Sequence, residues 1–426
     1  MKILLIRPRP HPDTIGLHNV MICEPLELMT LKPVLLANSH SVGILDMILE
    51  KRPLSHFIQK HRPDLVGITG YISHVGVIKS YAREIKALSP ATKIVVGGVH
   101  AEVCPQDFAS PHIDLVARSA EELYRFADCT DLTPRLPFRR LPERYRKHYY
   151  YMFHRDCALV KTSFGCPYNC NFCFCKEISP YSQRLMDDVI RELVSIPQKE
   201  VYIVDDDFLF DRKRLLEFAD RVEKLQLRQR YLVYGRADFI AGNEDVIARL
   251  AQVGLRAVIV GLEAADQDQL DSYNKRTKLE DNERAVRVLQ KYGIECYATV
   301  ILGIDWDEKD FEKLYRFLHR LDITFVNLQP FTPMPGTPYL AENWNRLLIP
   351  YHQHEKWDMA HLVVAPEKLT VRRFYWETVK LYLRLMANPA KGAQMAEKYG
   401  MKDTLKLSAG AGKVAWQYLE KIVAGE

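Results

Sequence analysis

The chain has 426 residues, 47% hydrophobic and 27% charged, which suits two or three globular domains with full cores. Its net charge of +5 is too diffuse to argue for a nucleic-acid partner. No run of about 18 apolar residues occurs, and Met1-Lys-Ile-Leu-Leu-Ile-Arg-Pro meets a charge and a proline early, so neither a spanning helix nor a signal peptide is expected. Nine cysteines without a paired pattern suit a reducing compartment, and a cytoplasmic protein is expected.

From the amino terminus, Lys2-Ile-Leu-Leu-Ile6 is a continuous apolar run closed by Pro8, as a buried parallel strand would be. Further strands are predicted at Ser41–Leu45, Asp64–Thr69, Lys93–Gly97 and Ile113–Ala117. Helical patterns lie between them, the clearest running from Val75 to Leu88 with Val77, Ile78, Tyr81, Ile85 and Leu88 on one side. This alternation predicts a doubly wound, Rossmann-like parallel sheet over residues 1–128. Ligands of such sheets bind at the carboxyl ends of the strands, where Thr69, Gly70, Ser73, Gly97, Gly98 and Glu121 stand as candidate cofactor contacts. His11, His74 and His100 read as loop or surface histidines. No G-x-G-x-x-G follows the first strand, which disfavours a dinucleotide and leaves a generic nucleotide site open.

Residues 129–157 read as a linker, with Pro134, Pro137 and Pro142, a basic run from Arg139 to Lys147 and the aromatic group Tyr149-Tyr-Tyr-Met-Phe153. The basic run reads as a solvated face. Next comes the apolar run Ala158-Leu-Val-Lys-Thr-Ser163, then Phe164-Gly-Cys166-Pro-Tyr-Asn-Cys170-Asn-Phe-Cys173-Phe. Three thiols in one loop point to a metal: thiolates select zinc or iron–sulfur clusters, and closed sites of either kind take four protein ligands. A cubane on Cys166, Cys170 and Cys173 would keep one iron free of protein, and an open position implies chemistry. A structural zinc knuckle would want a fourth ligand at matched spacing. Cys175, two residues on, points the wrong way if the chain is extended there.

The strand–helix rhythm then resumes. A helix is predicted at Ser182–Ser195, and Asp211 caps another with Leu215, Phe218, Val222 and Leu225 inward. Strands follow at Val201–Val204, Tyr231–Tyr234, Ala257–Val260, Cys296–Leu302 and Ile323–Leu328, and a helix at Asp281–Tyr292 stops at Gly293. With Ala158–Ser163 these make a partial (β/α)6 barrel over residues 158–340, its active site expected at the carboxyl ends of the strands. Those ends carry Asp205-Asp206-Asp207, Arg236 with Asp238, Glu263, and Gly303 with Asp305; Asn327 and Gln329 lie in the last strand. Residues 341–426 read as a helical region with aromatic faces (Phe374, Tyr375, Trp376, Tyr382) covering the barrel mouth; His352, His354 and His361 are metal-ligand types but, without cysteines or a clear helical register, read as solvated surface.

The C-x3-C-x2-C loop, with an aromatic immediately before its last cysteine, resembles the radical S-adenosylmethionine (SAM) superfamily. The preceding sheet, with Gly97-Gly98 after its fourth strand, is similar to the cobalamin-binding domain of the class B members, although the D-x-H-x-x-G signature of many other cobalamin proteins is missing. Thr332-Pro-Met-Pro-Gly336-Thr-Pro338 looks like the end of the core in the group related to the bacteriochlorophyll oxidative cyclase. The resemblance implies a [4Fe-4S] cluster on Cys166, Cys170 and Cys173, S-adenosyl-L-methionine on its open iron, and cobalamin in the first domain. It assigns the methionine amino group to the Asp205–Asp207 stretch, the carboxylate or ribose to Arg236 and Glu263, and the adenine to Gly303. Three carboxylates replace the family's Gly-Gly-Glu form, so which of them faces the ligand stays open.

The implied activity is methylation of an unactivated carbon of a small-molecule or natural-product substrate by a 5′-deoxyadenosyl radical and methylcobalamin. The electron would come from an external donor such as flavodoxin or ferredoxin. Cyclisation, ring contraction or another oxidation without methyl transfer uses the same motifs and is the alternative. A non-catalytic iron–sulfur protein is disfavoured by the open iron. There is no recognisable RNA-binding module, and no nucleic-acid partner or membrane span is expected.

Overall fold

The computed structural model describes residues 1–15, 20–386 and 389–424. They form two compact units, Met1–Thr14 with Glu24–His148 and Pro350–Asp358, and Ile15–Cys23 with Tyr149–Ile349 and Met359–Glu426.

The first unit is built on β1 (Lys2–Arg7), β2 (Ser41–Asp46), β3 (Leu65–Thr69), β4 (Lys93–Gly97) and β5 (Leu115–Val116). The strands pair in the order β2-β1-β3-β4-β5, all parallel. Alternation along β1 sends Leu4 and Ile6 to one face and Ile3 and Leu5 to the other. Helices Leu54–His61 and Val75–Leu88 cover the first face; Leu26–Ala37 and Ala120–Phe126 cover the second. Apolar side chains thus meet helices on both faces, which is why these strands read as unbroken hydrophobic runs.

Three surface readings are corrected here. Arg139 and Arg146 do not belong to a solvated face: both pair with Glu24, whose carboxylate is fully buried and draws cations inward. His100 is buried in the helix Val99–Val103. His354 lies in Pro350–Asp358, which packs into this unit around the fully buried Trp357, and His361 is buried in the second unit; only His352 is exposed.

The second unit runs β6 (Ala158–Val160), β7 (Glu200–Ile203), β8 (Arg230–Arg236), β9 (Leu255–Glu263), β10 (Glu295–Leu302) and β11 (Phe325–Pro330), in sequential order and all parallel. Helices Met186–Val194, Arg212–Lys224, Glu244–Gln252, Leu279–Lys291 and Glu308–Arg320 return the chain between them, giving the partial barrel. The helix after the cysteine loop starts at Met186 rather than Ser182, because Ser182-Gln183 pairs antiparallel with Ser163-Phe164 and closes the base of that loop. The Asp211 carboxylate caps its helix by accepting from Lys213 N (3.0 Å) and Arg214 N (3.2 Å). Gly293, at φ +65°, takes the left-handed position that ends Leu279–Lys291.

The end of the barrel away from the cysteine loop is closed by aromatics. Tyr151 packs on Tyr202 and Tyr297, and the His154 ring lies between Glu200 (2.8 Å) and the Tyr297 hydroxyl (3.1 Å). Helix Val371–Met386 packs along Glu308–Arg320, and the Tyr382 hydroxyl accepts from Leu328 N (3.0 Å) on edge strand β11. Glu367 N donates to Ile304 O (2.7 Å) at the carboxyl end of β10, so this region reaches the mouth through that segment. No helix among the described residues is long and apolar enough to cross a membrane.

Candidate active site

The cysteine loop is held by backbone geometry before any metal is considered. Gly165 has φ +64°, and a Cβ there would lie 2.3 Å from Ser179 O, so the turn into Cys166 accepts only glycine. Asn171 N donates to Tyr273 O (3.1 Å), Asn274 Nδ2 to Asn169 O (2.8 Å) and Cys173 N to Cys170 O (3.2 Å). Cys170 is buried, while Cys166 and Cys173 are half-buried.

Two cations stand against Cys170. Arg236, at the end of β8, approaches its sulfur (3.8 Å) while donating to Asp238 (3.0 Å, twice), Lys275 O (2.6 Å) and Thr277 Oγ1 (3.0 Å), and its guanidinium lies 3.9 Å from the Tyr168 ring centre. Lys275 is buried and donates to Glu263 Oε1 at 2.8 Å. Burial works against its ammonium, yet Glu263 and Cys170 beside it hold its pKa above the usual lysine value. Burial likewise raises the Cys170 thiol, and Lys275 and Arg236 pull it down. Glu263 itself sits at φ +60°, where the β9–β10 register shifts, which turns its carboxylate to Lys275.

The three adjacent carboxylates meet three environments. Val201 and Ile203 face the helices, so alternation sends Asp206 to the barrel interior and Asp205 and Asp207 outward. Asp205 accepts from Thr162 N (2.6 Å), Thr162 Oγ1 (2.5 Å) and Ser163 N (3.1 Å), tying β7 to β6. Asp206 lies 3.9 Å from Lys161 Nζ and accepts from the Cys175 thiol at 3.7 Å. Asp207 is buried with neither oxygen in a well-formed hydrogen bond, and burial pushes its carboxyl up to about 8 although Arg236, Lys275 and the backbone of Leu209 oppose it. It shares with Ser163 a cavity of about 10 Å³, the room of one water molecule.

The donor set fits an iron–sulfur cluster. Three thiols share one loop, with Cys173 near enough to act on both Cys166 and Cys170, and buried cations offset the negative charge that thiolates bring. Cys175 does not point away as an extended chain would require: a single helical turn, Cys175–Glu177, brings its thiol beside Cys173. That contact holds the Cys173 thiol below its ordinary pKa against burial, and pushes Cys175 far above.

In the first unit, the carboxyl ends of β3 and β4 are pressed together. Gly98 has φ +102°, and a Cβ there would lie 2.7 Å from Thr69 Oγ1 and 3.0 Å from Gly70 N and O. A Cβ on Gly70 would lie 2.8 Å from Ile78 Cδ1, whereas one on Gly97 would meet only Ala117 O at 3.6 Å. Ser73 lies in the turn Ile72–His74 just beyond, and Tyr71 is 60% exposed there. Strand ends with such bare backbone fit a large planar cofactor that needs close approach. Glu121 is paired with Arg125 on its own exposed helix surface.

Residues 160–318 match the Radical SAM superfamily, and residues 14–125 match the B12 binding domain. The chain joins a B12 binding domain to a radical SAM domain. Its cofactors are a [4Fe-4S] cluster, S-adenosyl-L-methionine and cobalamin. Relatives of this radical enzyme include the hopanoid C-3 methylase of Methylococcus capsulatus, 25% identical over 96% of this chain and 84% of that one. The anaerobic magnesium-protoporphyrin IX monomethyl ester cyclase of Rubrivivax gelatinosus is 24% identical over 77% of this chain and 67% of its own. The fold matches the radical S-adenosylmethionine methyltransferase TsrM from Kitasatospora setae with a TM-score of 0.66 at 16% identity, covering 91% of this chain and 89% of that one.

For this radical SAM enzyme the structure gathers Cys170, Arg236 and Glu263 into one network, with Asp206 facing the same interior. Gly303 lies at the end of β10, where a Cβ would fall 2.5 Å from the Trp306 ring, so its bareness admits that indole. Sequence reasoning missed Lys275 and Tyr168. A lysine in a loop gives no sign that it is buried against Glu263.

Proposed function

We propose that this chain is a cobalamin-dependent radical SAM C-methyltransferase that acts on an unactivated carbon of a small molecule. The observation that carries the reading is a three-thiol loop backed by two buried cations in a chain that also holds a B12 binding domain. The relation to a hopanoid methylase over nearly the whole chain supports methyl transfer. When bound, the cofactors supply a 5′-deoxyadenosyl radical and a transferable methyl group.

The residues bind and position. Cys166, Cys170 and Cys173 hold the cluster, with Arg236 and Lys275 favouring the thiolate form of Cys170. Asp206 faces the interior and takes the methionine ammonium of SAM, while Asp205 fixes the strand ends that present it. Arg236 is committed to Asp238 and the cysteine loop, so its role is to position that loop. Thr69, Gly70, Ser73, Gly97 and Gly98 provide the cobalamin surface. The remaining cysteines, Cys23, Cys104, Cys129, Cys157, Cys175 and Cys296, form no second cluster motif, so the electron comes from an external donor such as flavodoxin or ferredoxin.

The test is stoichiometry under anaerobic turnover. Methyl transfer requires S-adenosylhomocysteine and 5′-deoxyadenosine to appear in step, one of each per methylated product. The cyclase relative favours a second reading, oxidation without methyl transfer, for which 5′-deoxyadenosine would accumulate without S-adenosylhomocysteine.

A further inference from the structure

A second cluster of metal-binding side chains lies in the first unit. His100 and Cys104 are one helical turn apart, with Cys104 N donating to His100 O (2.8 Å), so both side chains fall on the same side of the turn. The turn Pro105–Phe108 then brings round Asp107, and the ligand atoms of these three residues lie within 4.8 Å of one another. Pro350–Asp358 adds His354, which reaches Asp107 but lies outside that 4.8 Å group, so its ring must move in to complete a site.

Both imidazoles turn Nε2 toward one oxygen, Asp107 Oδ2, at 2.8 Å from His100 and 3.6 Å from His354. The Tyr351 hydroxyl also donates to Asp107 Oδ2, at 2.6 Å. His354 Nε2 is buried and forms no hydrogen bond at its distance. A buried nitrogen held 3.6 Å from a carboxylate oxygen, too far for a good hydrogen bond and beside a thiol and a second imidazole, is an arrangement that a cation would complete.

We propose that His100, Cys104, Asp107 and His354 bind one zinc ion, which fastens Pro350–Asp358 to the first unit. Two imidazoles, a thiolate and a carboxylate make a closed four-ligand set for zinc, with bonds of about 2.0–2.3 Å. Ligand atoms would then stand about 3.4 Å apart, between the two nitrogen–oxygen separations already present. Binding releases the Cys104 proton. Tyr351 keeps its hydrogen bond to Asp107 and orients that carboxylate.

The experiment is zinc analysis of the full chain. The cysteine loop can itself hold zinc, so the measurement is made on cluster-loaded protein with about four irons per chain and on the Cys166→Ala/Cys170→Ala/Cys173→Ala variant. After loading with Zn²⁺ and dialysis against a weak chelator, about one zinc per chain is expected in both. X-ray absorption on the triple variant should show one sulfur and three nitrogen or oxygen neighbours. Adding Cys104→Ser and His354→Ala should reduce the retained zinc at least tenfold. Less than about a tenth of a zinc per chain in cluster-loaded protein, a first shell without sulfur, or equal retention in the Cys104→Ser/His354→Ala form would each overturn the proposal.

Discussion

Asp205, Asp206 and Asp207 are identical in chemistry and differ only in where alternation points them. Asp205 satisfies three donors on Thr162 and Ser163, so Asp205→Ala should cost about 2–4 kcal/mol through buried donors left unpaired, read as a lower thermal midpoint. Asp206→Asn should leave that midpoint nearly unchanged and weaken SAM binding about tenfold or more, near 1.4 kcal/mol, by equilibrium dialysis. Asp207 makes the pH behaviour. Burial raises its carboxyl from an ordinary 3.8 to about 8, so between those values the folded chain binds a proton that the unfolded chain has released. Stability from this group is therefore full below about pH 4, falls as pH rises, and levels off above about 8. Thermal melts of cluster-free protein at pH 5, 7 and 8.5 should show that decline, and Asp207→Asn should flatten it. A decline of equal steepness in Asp207→Asn would show that other groups are responsible.

Elements carry the next level of the argument, because the strand ends decide which side chains meet. Strand–helix alternation, the cysteine loop and the carboxyl-end location of polar residues were legible in the sequence, since apolar periodicity and thiol spacing are local. Contacts that depend on distant segments were not: Lys275 under Glu263, the pair Arg139 and Arg146 on Glu24, and the burial of His354 have no local signature. Glycines lie between the two cases, since the sequence marks them but not what they approach. Gly98 is the sharpest instance. Gly98→Ala would force a Cβ within 2.7 Å of Thr69 Oγ1 at a φ of +102°, a strain of about 1–3 kcal/mol. It should reduce cobalamin retention at least tenfold while the iron content stays at the wild-type level. Gly165→Ala should do the opposite, losing iron and keeping cobalamin, since its Cβ would fall 2.3 Å from Ser179 O. Loss of both cofactors in either variant would mean that the two sites do not fold as separate local structures.

At the scale of the whole molecule, each unit is assembled from three stretches of chain, so neither exists as one continuous sequence. Pro350–Asp358 belongs to the first unit although more than two hundred residues separate it from His148. Its anchor is Trp357, fully buried, with its ring 5.1 Å from Tyr351. Removing that indole leaves a cavity, and Trp357→Ala should destabilise the first unit by about 3–5 kcal/mol. The loss should appear as weaker cobalamin retention with cluster assembly intact. The same packing predicts that residues 1–148 expressed alone expose the faces of Ile72 and Val75 and are less stable than the same residues joined by a flexible linker to 350–358. Chemical denaturation of the two forms compares them directly. Equal midpoints would show that the distant segment contributes nothing to this unit; a higher midpoint for the joined form would show that the cobalamin-binding fold is completed by chain that follows the barrel.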